Sequence, residues 1–134
     1  MNPVDFLKTI YLGDRYCTKF IIDDKSRNIE LHINCISRVR DLSGHWNYYN
    51  DENIDNGIIM FEDYDNFDTQ PQGLIPNEEI CDIAVQSILD KKYKFVISAC
   101  NINEEANCKY IMISFEARRV CLIDPLKPDL KILI

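Results

Sequence analysis

The chain has 134 residues, of which 46% are hydrophobic and 28% charged, and its formal net charge is −7. This composition excludes a disordered chain, which would hold fewer aliphatic and aromatic residues, and the length predicts a single domain over residues 1–134. No apolar run approaches the roughly 18 residues of a membrane-spanning helix, and Met1 is not followed by a basic and then an apolar leader. We therefore expect a cytoplasmic protein without membrane contact, present as a monomer or a weak dimer.

The N-terminal segment predicts a short helix. Asn2 can cap it, and Pro3 stands at the first helical position, where its missing N–H leaves no hydrogen bond unmade. The apolar residues Phe6 and Ile10 recur at helical spacing. We expect this helix over residues 3–12.

A β-hairpin is predicted next. Residues 16–23 are rich in strand-forming types, and residues 24–28 have the composition of a turn. From Ile29 to Arg40 apolar and polar residues alternate, which predicts one twelve-residue strand with a dry face and a wet face.

The middle of the chain alternates between loop and strand signals. Residues 41–57 are polar and lack a clear period, residues 58–62 predict a strand, and residues 64–67 predict its continuation after a bulge. Residues 80–89 fit both helical and strand periods, and their β-branched content favours a strand.

Three further strands are predicted at residues 93–100, 108–116 and 120–123, and the tail 127–134 can add an edge strand. The absence of strand–helix–strand alternation disfavours a parallel sheet. We therefore predict a mainly β fold, an antiparallel sandwich or open barrel of seven or eight strands with one short N-terminal helix.

The six cysteines allow either three disulfides or six thiols. Because we expect a cytoplasmic protein, reduced and mostly buried thiols are predicted. No two cysteines stand closer than eight positions apart, so the paired spacing of a zinc site is absent and we expect no bound metal.

The negative charge is concentrated in the middle of the chain. Residues 41–90 contain twelve Asp or Glu and no Lys or Arg, and seven of the twelve lie within residues 50–68. An acidic surface repels phosphate backbones and attracts basic proteins. We therefore expect no nucleic-acid binding and a basic protein partner.

Calcium binding is one alternative interpretation of the acidic stretch. The residues at positions 1, 3, 5 and 12 of a calcium-binding loop are Asp51, Asn53, Asp55 and Glu62. Position 6 is Asn56, where the sharp turn requires glycine, and the residues that follow predict a strand instead of a helix. The match is therefore incomplete.

A second alternative is centred on His45 and Trp46. Paired carboxylates with a loop histidine can support hydrolysis, and Trp46 with Tyr48 and Tyr49 can form a carbohydrate platform. The chain has two histidines and no G-x-S-x-G elbow or phosphate-binding loop. We predict no catalytic residue and no cofactor, and keep a carbohydrate-binding or small hydrolytic β domain as the alternative function.

The preferred hypothesis is a protein-binding face. Carboxylates that cluster without cations destabilise a fold by repulsion, and a basic partner offsets that cost. Aromatic residues among them are of the type that dominates interfaces. The predicted partner-binding residues are Trp46, Tyr48, Tyr49, Asp51, Glu52, Asp55, Glu62, Asp63, Tyr64, Asp65 and Asp68.

Six segments also carry a family resemblance: NPVDFLKTIYLGDR at 2–15, IELHINCISRVR at 29–40, GIIMFE at 57–62, GLIPNEEI at 73–80, FVIS at 95–98 and FEA at 115–117. In these segments the chain resembles small strand-rich bacterial families that are similar to the immunity proteins of polymorphic-toxin systems. The resemblance implies a small cytoplasmic binder, without chemistry of its own, that blocks a toxin domain, often a basic nuclease. It assigns no binding residue.

Overall fold

The computed structural model describes residues 3–8, 10–11, 15–38, 54–102, 105–125 and 127–132, and only the backbone of residues 8, 11, 36–38, 54–55 and 127–132. Within these ranges the chain forms one α-helix, twelve strands and a 3-10 turn at Leu89–Lys91. In chain order the elements are α1 (Pro3–Lys8), β1 (Ile10–Tyr11), β2 (Cys17–Asp23), β3 (Asn28–Ile33), β4 (Cys35–Arg38), β5 (Ile54–Asp55), β6 (Ile58–Glu62), β7 (Asp65–Gln70), β8 (Ile80–Ser87), β9 (Tyr93–Ile102), β10 (Cys108–Ala117), β11 (Arg119–Asp124) and β12 (Lys127–Ile132).

The strands form two main antiparallel sheets and a small third sheet. The four-stranded sheet has the order β7-β10-β9-β8, the five-stranded sheet has the order β12-β11-β6-β3-β2, and β1-β4-β5 make the small sheet. The two main sheets pack face to face and do not close into a barrel. The predicted mainly β, antiparallel fold with one short helix is confirmed, including strand formation by residues 80–87.

The core lies between the inner faces of the two main sheets. Phe61 on β6 meets Phe95 on β9 and Phe115 on β10, with 4.9 Å between ring centroids in both pairs. The rings meet edge to face, the arrangement that aromatic quadrupoles favour. All three side chains are fully buried. Strand alternation turns each of them inward, so the core follows from the period of two in the sequence.

The predicted hairpin is confirmed as β2 and β3, joined by a turn that Asp23 organises. Asp23 Oδ1 accepts the backbone N–H groups of Lys25 at 3.0 Å and Ser26 at 3.3 Å. Hydrogen bonds from the Ser26 hydroxyl and from these amides lower the pKa of Asp23. This carboxylate therefore fixes the turn that sets the register of the hairpin.

The strand predicted from residue 29 onward is interrupted at Asn34. Up to that point its dry face is as predicted, since Ile29, Leu31 and Ile33 are fully buried. Asn34 Oδ1 then accepts the N–H of Tyr16 at 3.0 Å, and the Asn34 carbonyl accepts an N–H from residue 56 at 2.9 Å. β4 continues in the small sheet. The prediction of one continuous strand is wrong because partners distant in sequence end it.

The helix is shorter than predicted. It ends at Lys8, and residues 10–11 form β1, which pairs with β4. The predicted helix over residues 3–12 is therefore wrong at residues 10–11, because β4 pairs with these two residues as a strand and local periodicity does not reveal that pairing.

Two strand connections cross between the main sheets at the same corner. β6 leads into β7 and β10 leads into β11, while β6 pairs with β11 and β7 pairs with β10. The Arg118 N–H donates to the Glu62 carbonyl at 3.1 Å, so both segments turn together as one ribbon. We call residues 62–66 and 117–119 the crossover corner. β7 thus lies in the opposite sheet, and the predicted bulged continuation of β6 is wrong.

Candidate functional site

The predicted partner-binding residues fall into two groups. Outside the described residues lie Trp46, Tyr48, Tyr49, Asp51 and Glu52, together with His45, and for Asp55 only the backbone in β5 is described. The other five are Glu62, Asp63, Tyr64, Asp65 and Asp68. The first four of these five are consecutive in sequence and lie in the crossover corner, and Asp68 lies apart from them on β7.

Two carboxylates of the crossover corner are bound by consecutive arginines. Asp63 Oδ2 lies 2.9 Å from Arg118 Nε. Glu62 Oε2 lies 2.9 Å from Arg119 Nε, across 57 positions of sequence. Arg118 also donates through Nη1 to the carbonyl of Asp90 at 2.8 Å. The ribbon between the sheets is therefore held by ion pairs as well as by backbone hydrogen bonds.

Asp65 is matched by two cations from other elements. Its Oδ1 lies 3.4 Å from Arg27 Nη2, and its Oδ2 lies 3.9 Å from Lys92 Nζ. Half-exposed pairs of this kind contribute only about 0.2–1 kcal/mol each. These ion pairs matter more for function than for stability, because they neutralise the negative charge of the crossover corner.

The expectation that the acidic stretch lacks compensating cations is therefore wrong for Glu62, Asp63 and Asp65. In the sequence, no lysine or arginine stands near these positions. In the folded chain, four cations, at residues 27, 92, 118 and 119, lie beside these carboxylates. This part of the stretch presents little net charge to a basic partner.

Tyr64 is enclosed at the corner and is not an exposed aromatic anchor. Its side chain is 5% exposed, and the Arg27 guanidinium lies over its ring, 4.3 Å from the centroid. Arg27 Nη2 donates to the Tyr64 carbonyl at 2.9 Å, and the Tyr64 hydroxyl donates to the Asp24 carboxylate. That hydrogen bond, with burial, raises the pKa of Tyr64.

A different surface exposes large apolar side chains, namely the outer face of the four-stranded sheet. On β10, Tyr110 is 57% exposed and Met112 is 45% exposed, whereas their neighbours Ile111 and Ile113 are fully buried. Residues two apart on a strand point to the same side. The tyrosine ring and the thioether therefore lie side by side in solvent.

Cross-strand pairing defines the rest of this surface. Met112 stands opposite Gln70 of β7 and Ser98 of β9, and Ser98 stands opposite Asp82 of β8. We call the following outward side chains the outer face: Asp68, Gln70, Asp82, Ala84, Val96, Ser98, Tyr110, Met112 and Ser114. Apolar area at its centre comes from Met112, Val96 and Ala84, and Asp68 and Asp82 stand on the outermost strands. At one end, Gln86, Lys94 and Glu116 point to the same side and stand opposite one another, so a lysine and a further carboxylate lie beside the outer face.

Sequence reasoning missed Tyr110 and Met112 as candidates for the site. The strand predicted at residues 108–116 has Ile111, Ile113 and Phe115 on one side, which already places the two missed residues on the other. A large aromatic and a thioether on a predicted wet face were the available signal. The alternation along residues 108–116 does not show whether another element covers the outward side of this strand.

The described residues offer no metal centre. Among them, no three His, Cys, Asp or Glu side chains come together as ligands for an ion. Glu62, the twelfth position of the calcium pattern, is engaged by Arg119, whereas Asp51 and Asn53 lie outside the described ranges. Of the two histidines, His32 is described, and its Nε2 lies 3.1 Å from Glu30 Oε1 on the same strand.

The cysteines differ from the expectation of six thiols. Cys100 and Cys108 form a disulfide across the β9–β10 hairpin, with their Cα atoms 5.7 Å apart. The remaining thiols are Cys17, Cys35, Cys81 and Cys121. Cys17 and Cys121 are buried as predicted, and Cys81 is exposed. Burial raises the pKa of the Cys17 thiol to about 11, so this thiol stays protonated at neutral pH.

Fold and site together define the class of this protein as an antiparallel β-sandwich with a partly apolar outer face on its four-stranded sheet. Within the described ranges, no helix combines the length and the apolar character that crossing a membrane requires. A family model matches residues 1–134, and the chain belongs to that family, a family of unknown function designated DUF6258. Neither a curated protein nor a solved structure matches the chain.

Proposed function

We propose that this chain is a non-enzymatic protein-binding domain and that its partner docks on the outer face of the four-stranded sheet. One observation carries the proposal, namely that Tyr110 and Met112 are exposed side by side on β10. Tyrosine and methionine are among the residues enriched at protein interfaces. Exposing both next to each other is unfavourable in water unless a partner covers them.

The arrangement around this pair supports the same proposal. Ala84 and Val96 stand opposite each other on β8 and β9, and extend the apolar centre away from β10. Polar residues surround this centre, with Asp68 on one outer strand and Asp82 on the other. An apolar centre inside a polar rim is the anatomy of a protein interface.

The carboxylates indicate the chemistry of the partner. Asp68 and Asp82 are exposed, and the Asp68 carboxylate accepts a hydrogen bond from the Gln70 amide at 3.3 Å. The fitting partner therefore presents an apolar centre flanked by lysine or arginine side chains. Of the five predicted partner-binding residues whose side chains the structure describes, Asp68 belongs to the outer face.

The resemblance to immunity proteins supports a more specific version, in which the partner is a basic toxin domain of bacterial origin. An immunity protein must bind its toxin tightly and quickly, and charge on the rim of an interface contributes mainly to association rate. The remaining predicted carboxylates and aromatics at residues 46–55 belong to this proposal as further contacts.

We also propose a cytoplasmic location. Cys100 and Cys108 form a disulfide within one hairpin, but the other four cysteines are thiols, and one of them, Cys81, is exposed. Exposed thiols persist where the compartment keeps them reduced. Mass spectrometry of protein alkylated inside cells tests this, because labelling of Cys81 in the cytoplasmic fraction is the expected result.

The binding proposal is tested by titrating the purified chain against the products of its neighbouring genes, with calorimetry for affinity and stopped-flow mixing for rates. We expect a nanomolar complex that weakens as salt increases. The double substitution Tyr110→Ala with Met112→Ala should raise the dissociation rate at least about tenfold. Asp68→Lys should instead lower the association rate.

The matched control is Leu89→Ala, because Leu89 is 87% exposed and lies outside the outer face. It removes exposed apolar area without touching the proposed surface, so affinity should not change. Failure to bind any neighbouring product contradicts the immunity version. A complex that tolerates both the alanine and the lysine substitutions contradicts the choice of surface.

A further inference from the structure

The outermost strands of the two main sheets differ in how they prevent pairing with another chain. An outermost strand turns every second backbone N–H and C=O away from its sheet, and proteins protect such edges with lysine, proline, bulges or a covering element. β2 contains Lys19 and a register shift against β3. The β12 sequence contains Pro128 between two lysines. β7 has a register shift against β10 and contains two aspartates.

In the described part of the chain, the second half of β8 has none of these devices. From Ile83 to Ser87 it contains no charged residue, no proline and no glycine. Its register against β9 is regular there, since the shift lies earlier, between residues 80 and 82. Ala84 and Gln86 are exposed. In the described part of the chain, β9 is the one strand that pairs with this tract.

Among the described residues, backbone hydrogen bonds from the N-terminal segment reach the beginning of β8. The Ile80 N–H donates to the Arg15 carbonyl at 3.0 Å, and the Cys17 N–H donates to the Glu78 carbonyl at 2.9 Å. The helix α1 packs against β8, but its six residues span about 9 Å. The eight residues of β8 span about 26 Å, so the helix is too short to cover the edge.

A groove of about 440 Å³ remains between the helix and the strand. Val4, Leu7 and Ile10 line one side, and residues 81–85 of β8, which include the Asp82 carboxylate, line the other. A strand added beside β8 would direct its own inward side chains over this groove. Side chains of one added strand could therefore fill this groove and pack against α1 and β8.

We propose that a second copy of this chain occupies the edge, with the two β8 strands pairing antiparallel about a two-fold axis near Val85. The two four-stranded sheets then join into one sheet of eight strands. The uncharged tract pairs with itself, and Ala84 of each copy stands opposite Gln86 of the other. The two Asp82 residues end up about 20 Å apart, beyond the screening length of about 8–10 Å. Self-pairing thus creates no like-charge contact.

Sedimentation equilibrium over protein concentrations up to about 1 mM tests the proposal. Wild-type protein should show a reversible monomer–dimer equilibrium. The double substitution Ala84→Lys with Gln86→Lys places lysines opposite lysines across the two-fold axis, and should weaken the dimer at least about tenfold. The matched control is Thr18→Lys with Gln70→Lys, which adds two lysines at exposed positions of β2 and β7 and should leave the dimer unchanged.

A charge-swap experiment tests the register directly. Ala84→Glu with Gln86→Glu should also be monomeric alone. An equal mixture of the lysine and glutamate variants should form a heterodimer, because the introduced lysines of one chain then face the introduced glutamates of the other. A wild-type chain that stays monomeric throughout the series overturns the proposal. So does a dimer that survives the lysine pair, or a mixture of the two variants that fails to associate.

Discussion

Tyr64 connects the crossover corner to the β2–β3 turn through both ends of its side chain. The ring packs under the Arg27 guanidinium, and the hydroxyl donates to Asp24. The protonated hydroxyl is the form that makes this hydrogen bond, which is why the pKa of Tyr64 is raised. Stability from this bond is therefore complete below the unfolded-state pKa of about 10 and is lost as the pH rises through the higher folded-state pKa.

Tyr64→Phe should lower the unfolding free energy by about 1 kcal/mol near pH 7, because it removes one hydrogen bond and retains the ring. The difference between wild type and variant should shrink above about pH 10. Urea denaturation of both proteins at a series of pH values measures this. Tyr110→Phe is the control, since the Tyr110 side chain is largely exposed. A difference that stays constant at alkaline pH would contradict the assigned role of the hydroxyl.

The crossover corner is the element that turns two paired strands from one sheet into the other. Its ion pairs join residues 62–65 to cations on three other segments. Each pair is half exposed, so the attraction is screened and no single pair dominates. Together they connect residues 62–65 to residues 27, 92 and 118–119, while the energy of folding comes mainly from the burial of apolar side chains.

Arg118→Ala should cost about 1 kcal/mol, because it removes the Asp63 pair and the hydrogen bond to the Asp90 carbonyl. Asp63→Ala should cost about 0.5 kcal/mol. A double-mutant cycle read by chemical denaturation should give a coupling energy of about 0.5 kcal/mol that decreases as salt is added. Additive single effects, with no coupling at low salt, would show that the two charges do not interact in solution.

At the scale of the whole molecule, the two main sheets are held together by buried aromatic rings. Phe61 is the member of the five-stranded sheet that meets two phenylalanines of the other sheet. Its removal leaves a cavity on both sides of the interface between the layers. The cost therefore combines lost burial with incomplete relaxation around the cavity.

Phe61→Ala should lower the unfolding free energy by about 3–5 kcal/mol, a large fraction of the total stability of a domain this size. Phe61→Leu keeps most of the volume and should cost clearly less. Urea denaturation measures both, with Leu89→Ala as an exposed apolar control. Similar values for Phe61→Ala and Leu89→Ala would mean that the two sheets do not share this core.

The inner faces of the strands were predictable because the period of two is a local property of the sequence. Ile29, Leu31 and Ile33 are buried in the predicted alternation. The candidate site was predictable only in part. Asp68 lies on the outer face, but Tyr110 and Met112 were identified as exposed only once the arrangement of the sheets was known.

By itself the sequence determined the strand-built class of the protein, the inward side of most strands and the concentration of acid in the middle of the chain. Tertiary structure decided where strands end, which sheet each one joins and which charges are paired. The physical reason is distance along the chain: the partners of Glu62 and Asp63 are arginines that follow β10. Contacts between residues distant in sequence do not produce a periodic pattern, so the sequence pattern does not predict them.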